Sequence, residues 1–89
     1  VKVRVFLSIY KNLGVLYRNK KEFDKAEYLF NKGIAVAEEF EDIHYKGILL
    51  NSLGVSYRER GEYDLAIKAL EESTKLKMAG ENKAPVATT

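Results

Sequence analysis

The chain matches itself at an offset of 40 residues. Leu13-Gly14-Val15 meets Leu53-Gly54-Val55, Tyr17-Arg18 meets Tyr57-Arg58, and Glu22, Asp24 and Ala26 meet Glu62, Asp64 and Ala66. These are eight identities in the fourteen positions from Leu13 to Ala26, where a random alignment gives about one. Phe23 opposite Tyr63 and Phe30 opposite Leu70 are conservative pairs. A period of this size marks repeated supersecondary units, each of which buries its apolar face on its neighbours.

Within each repeat the apolar spacing is helical. Phe6, Tyr10, Leu13, Gly14 and Tyr17 follow one face of an α-helix, and Leu50, Leu53, Gly54 and Tyr57 copy it. Phe23, Ala26, Phe30, Gly33, Ile34 and Ala37 mark a second helix, with Tyr63, Ala66, Ile67 and Leu70 as its copy. The pattern predicts four helices at about 3–19, 23–40, 43–59 and 63–78. The fold class is all-α: two tandem helical hairpins of four antiparallel helices in a domain over 1–80, with repeat 1 at about 3–40 and repeat 2 at about 43–78. Asp42 suits the N-cap of the third helix. Gly61 suits a left-handed turn after it, a place that Lys21 holds in the first repeat. Gly80 is the expected stop of the fourth helix, and 81–89, small and polar with Pro85, is expected to be a disordered tail. The opening VKVRVF alternates like a strand, but it also puts Val3 and Phe6 on the core face of the first helix, and the repeat decides for helix.

Composition closes off several chemistries. With no cysteine there is no disulfide, thiolate metal site or thiol nucleophile. His44 is the single histidine, and Asp42 at i−2 does not share its helix face. No P-loop, nucleophile elbow or dinucleotide fingerprint is present. The glycines pack helices rather than cradle phosphate. The expectation is a protein that is not an enzyme and uses no metal or cofactor. No apolar run reaches the roughly 18–20 residues of a membrane span and no signal segment opens the chain, so the expected setting is cytoplasmic. Val1 in place of Met fits an excised piece of a longer protein.

The quoted residues resemble the tetratricopeptide repeat. Its signature is a bulky residue, Leu-Gly and Tyr on the first helix, then an aromatic, Ala and an aromatic or Leu on the second. Here these are Tyr10, Leu13, Gly14, Tyr17, Phe23, Ala26 and Phe30, and then Leu50, Leu53, Gly54, Tyr57, Tyr63, Ala66 and Leu70. The usual repeat is about 34 residues. This one is longer and lacks the proline after the second helix; Glu38 and Met78 lie near its place. It is similar to the long variant of kinesin light chains and of the adaptors that bind G-protein regulators at the cell cortex. The resemblance implies a right-handed superhelical stack and a scaffold for protein–protein interaction. It also implies a concave groove lined by the first helix of each hairpin.

Helical geometry places residues opposite the core face. On the first helix these include Lys11, Asn12, Val15 and Arg18, and on the third Asn51, Val55 and Arg58. Arg4, Lys11 and Arg18 are spaced by seven and form one basic stripe. Charge is segregated: 1–21 carries six bases and no acid, whereas 22–42 carries seven acids and two lysines. Together these predict a groove with cations and amides for an acidic or extended peptide, on an apolar floor of Val15 and Val55. Arg4 alone reads as an ordinary solvated cation. The family's clamp for terminal carboxylates pairs a Lys with an Asn one turn later, and Val15 holds that Asn position. Two other functions compete. One is self-assembly, as a homodimer through the C-terminal helix, where Tyr63, Ile67, Leu70 and Thr74 face outward while Leu7, Ile9 and Leu16 lie beyond the core face at the other end. The other is nucleic-acid binding, disfavoured because the net charge is only +2.

Overall fold

Every helix begins where the apolar spacing requires. The computed structural model describes the backbone of residues 3–88 and the side chains of residues 3–79. It has α1 (Val3–Asn19), α2 (Phe23–Glu39), α3 (Ile43–Glu59) and α4 (Tyr63–Thr88). The alternating start is helical from Val3 onward; Val1 and Lys2 lie outside the described residues. α4 continues past Gly80, where a stop and a tail were expected. Ala79, Glu81, Lys83 and Ala84 are good helix formers, and one glycine costs only about 1 kcal/mol in a helix interior. Thr89, the last residue of that expected tail, lies outside the described residues.

The first three helices are each 17 residues long, and one turn joins them throughout. Lys21, Glu41 and Gly61 have φ of 65°, 56° and 88°. In the first turn Lys21 N donates to Arg18 O and Glu22 N to Tyr17 O, both at 2.8 Å. The other turns repeat this through Glu41 N to Glu38 O with Asp42 N to Ala37 O, and Gly61 N to Arg58 O with Glu62 N to Tyr57 O. This is the Schellman arrangement, which satisfies the last carbonyls of a helix by turning one residue left-handed. Only the third turn uses glycine. Asp42 caps α3 as expected, its carboxylate accepting from Tyr45 N at 3.1 Å.

α1 packs on α2, α3 on α4, and the second hairpin seats on the first through contacts of α3 with both α2 and α1. The core joins Leu7, Ala26, Phe30, Ala37, Leu49 and Leu53. Glycines set the closest approaches. A Cβ on Gly14 would lie 2.8 Å from Phe30 Cδ1, and one on Gly54 would lie 2.7 Å from Leu70 Cγ and 3.3 Å from Ala66 O. Gly54 thus sits at the α3–α4 crossing beside Ala66, as the repeat predicts. Gly33 lets α2 nest between the other two, a Cβ there meeting Leu49 Cδ1 at 3.0 Å and Tyr10 Cβ at 3.2 Å. Ser73 Oγ donates to Gly47 O at 2.7 Å and ties α4 to the start of α3.

The core face of α1 is rotated from the expected one. Leu7 is fully buried rather than free at the open end, whereas Phe6 and Leu13 are 57% and 41% exposed. Phe6 and Leu13 lie on the flank of α1 that no other helix covers. On α4, Leu70 is half-buried against Gly54, and Tyr63, Ile67 and Thr74 are exposed as expected.

Candidate functional site

Gly14 and Gly54 mark where α1 and α3 touch the second helix of their own hairpin. At about 100° per residue, Val15 and Val55 lie about a quarter turn away, Lys11 and Asn51 about 60°, and Arg18 and Arg58 about 40°. Six of the seven candidate residues therefore form matched stripes on two helices that touch each other. Lys11, Val15, Arg18 and Val55 are half-buried, and Asn51 and Arg58 are exposed. Val15 also packs against the core. Asn12 stands apart. It is exposed, with its Nδ2 donating to Ser8 Oγ at 3.4 Å. Its counterpart Ser52 is buried, so Asn12 lies on the flank of α1 that corresponds to the one by which α3 is seated.

Three other cations, Arg4, Arg60 and Lys46, hold the hairpins together. Arg4 Nε donates to Asp42 Oδ2 at 2.9 Å, and its guanidinium carbon lies 5.5 Å from the centre of the Tyr45 ring. Partial burial pushes the Asp42 carboxyl up, but the Tyr45 amide and the Arg4 guanidinium outweigh it and hold the group below the ordinary aspartate value. Arg60, after α3, reaches Glu27 at 2.6 Å and Asp24 at 3.3 Å on α2, and Glu62 at 3.1 Å. Lys46 bridges Glu38 on α2 at 2.9 Å and Glu72 on α4 at 3.8 Å. The hydrogen bond to Glu38 holds its ammonium above the ordinary lysine value. The spacing in sequence of Arg60 from Asp24 and Glu27 hides this clamp from a reading of single helices.

Among the described residues, Lys11, Arg18 and Arg58 take part in no ion pair. Arg18 and Arg58 stand in the last turns of their helices, where a cation complements the helix dipole. Arg18 differs in that its Nε is buried without a hydrogen-bond partner. A buried donor without an acceptor is costly. Ser56 Oγ is the other side-chain atom in that condition among the described residues. A surface hollow of about 370 Å³ lies elsewhere, at the turn ends, lined by Lys21–Lys25 and Arg60. His44 stacks edge-on to Tyr45 with centroids 6.2 Å apart. No group of three or more potential metal ligands occurs among the described residues, and no described helix is long and apolar enough to cross a membrane.

Comparison with curated proteins and with solved structures returned no match. The family model of the tetratricopeptide repeat matches residues 5–79, a span that takes in both hairpins and the stripes on α1 and α3. With that match and two stacked hairpins built on the same Leu-Gly and Ala contacts, the chain belongs to the tetratricopeptide repeat family.

Proposed function

We propose that the matched stripes on α1 and α3 bind an acidic or extended peptide of a partner protein. Tetratricopeptide repeats mediate protein–protein interaction, and the residues here give that role a chemistry. The observation that carries the reading is that Lys11, Arg18 and Arg58 take part in no ion pair among the described residues, while Arg4 and Arg60 each hold carboxylates. A carboxylate from a peptide would pair with these cations, and guanidinium–carboxylate pairs are among the stronger hydrogen bonds. Asn51 offers an amide to a peptide backbone, and Val15 and Val55 provide apolar contact.

The test is titration of a labelled acidic peptide and its lysine-reversed copy against the chain. Micromolar affinity is expected, since two hairpins offer less than a standard interface of about 1,600 Å². The acidic peptide should bind at least about tenfold more tightly, lose affinity with salt, and be released by Arg18→Gln with Arg58→Glu. Equal binding of both peptides, or indifference to salt, would remove the proposal. Self-association is the second reading, favoured by Tyr63, Ile67 and Met78, each more than half exposed on α4.

A further inference from the structure

The 40-residue offset allows each open end of the molecule to be compared with its counterpart inside it. α3 seats on the first hairpin through a flank that includes Tyr45, Lys46, Leu49, Leu53 and Ser56. Leu49 and Ser56 are 0% exposed and Leu53 is 5% exposed. The same positions of α1 are Val5, Phe6, Ile9, Leu13 and Leu16. Ile9, Leu16 and Leu13 are 46%, 58% and 41% exposed. The flank of α1 is thus more apolar than the one that α3 buries, yet it is bare.

The opposite end changes in step. In the internal joint Lys46 pairs with Glu38 at 2.9 Å. At the ends, those two positions are Phe6 and Met78, 57% and 55% exposed. An ion pair inside is matched by two apolar side chains outside, one on each end. Arg60 pairs with Asp24 inside, and the corresponding residues at the ends are Lys20 and Asp64, a base and an acid. Leu49 lies against Gly33 inside, and the ends carry Ile9 and the small Ser73. Lys77 takes the place of buried Ala37, and a lysine stem can lie along an apolar surface with its ammonium in water.

We infer that copies of this chain stack head to tail, α1 of one copy seating on α4 of the next in the register by which α3 seats on α2. Phe6 then meets Met78 of the next copy, and Lys20 meets its Asp64. A two-fold pair through α4 would set Met78 and Ile67 on their own counterparts and leave the α1 flank bare, whereas the head-to-tail joint covers both ends. Such a joint is heterologous and does not close at two chains, so the stack grows with concentration. It uses none of the stripe residues, so loss of peptide binding and loss of stacking are read separately.

Sedimentation velocity of the full chain over about a hundredfold concentration range tests this. The weight-average mass should rise past two chains. Phe6→Lys and Met78→Glu should each weaken association at least about tenfold, and the double variant, which recreates the Lys46–Glu38 pair at the joint, should restore it in a salt-sensitive form. Both positions are exposed, and a thermal melt confirms that each variant keeps its fold; where a charge lowers the melting temperature, Phe6→Gln and Met78→Gln replace the single variants. A mass of one chain throughout would overturn the inference. So would a limit at two chains abolished by Met78→Glu but untouched by Phe6→Lys, the signature of a two-fold pair. Single-variant losses with no recovery in the double would overturn the register.

Discussion

α1 and α3 carry nearly the same motif and meet different fates. Both hold Leu-Gly-Val-x-Tyr-Arg, and in both the glycine admits a bulky residue from the second helix, Phe30 or Leu70. Yet α3 buries seven residues, among them Leu49, Leu53 and Ser56, whereas α1 buries only Leu7 and Gly14. The motif governs the contact within a hairpin. Burial on the remaining flank is governed by a neighbouring hairpin, which that flank of α3 meets among the described residues and that of α1 does not.

Truncation at equivalent positions gives the largest expected contrast. Leu49→Ala should cost about 2–5 kcal/mol as a fully buried leucine, and each kcal/mol is worth about 4–8 °C in a domain of this size. Ile9→Ala, at half-exposed Ile9, should stay within about 0.5 kcal/mol in dilute solution. Thermal melts of the two variants check this, and equal losses would mean that α1 is covered on that flank in solution.

The two hairpin glycines come next. Gly14→Ala presses a methyl on the rigid, fully buried Phe30 ring, while Gly54→Ala presses on the end of a half-buried Leu70 that can change rotamer. Overpacking costs about 1–3 kcal/mol, and Gly14→Ala should lie at the upper end and Gly54→Ala at the lower. Chemical denaturation ranks them; the reverse order would show that the second hairpin is the tighter one.

A smaller effect separates the capped joint between hairpins from the turns within them. The Asp42 carboxyl is held below its ordinary value of 3.8, so the unfolded chain takes up its proton first. Its contribution is complete above that ordinary value and fades as pH falls through the lower folded-state value. Asp42→Asn keeps a cap oxygen but loses the Arg4 pair, which is worth at most about 1 kcal/mol at an exposed position. Below about pH 4 the stability gap between wild type and Asp42→Asn should narrow. Melts across the acid range would show it, and a constant gap would mean that Arg4 and Asp42 do not act as a pair.

The smallest effect concerns the turns. Glu41 stands at φ 56° where the third turn has Gly61 at 88°, and a side chain in this region is strained. Glu41→Gly should raise stability by about 0.5 kcal/mol, offset in part by the greater freedom of glycine in the unfolded chain. Gly61→Ala should lower it by at least as much. Denaturant midpoints for the pair measure the difference.

Much of the scaffold was legible in the residues. The bounds of α1 and α3, the Asp42 cap and the Gly54–Ala66 crossing follow from helical spacing and the 40-residue echo, which are local signals. The phase of α1 was legible only in part. Tyr10 and Tyr17 pointed inward, but Phe6 and Leu13 look like core in a list of apolar positions and are exposed because no helix lies beside them. Lys21 was marked as a left-handed turn only by standing opposite Gly61 in the repeat, and Glu41 gave no sign of one, since glutamate rarely adopts it and only the geometry of the joint imposes it. The matched stripes were visible as a pattern. The buried Nε of Arg18 was not, because the burial of a single atom depends on tertiary packing.

The three identical turns make the chain behave like a gear train. Each connection spans only residues 20–22, 40–42 or 60–62, and its hydrogen bonds leave no slack to absorb an added residue. One residue inserted within a helix turns everything after it by about 100°, carrying Val55 and Arg58 out of line with Val15 and Arg18. Alignment of the two hairpins is therefore transmitted by residue count, and length changes are excluded from the turns as firmly as charges are from the core.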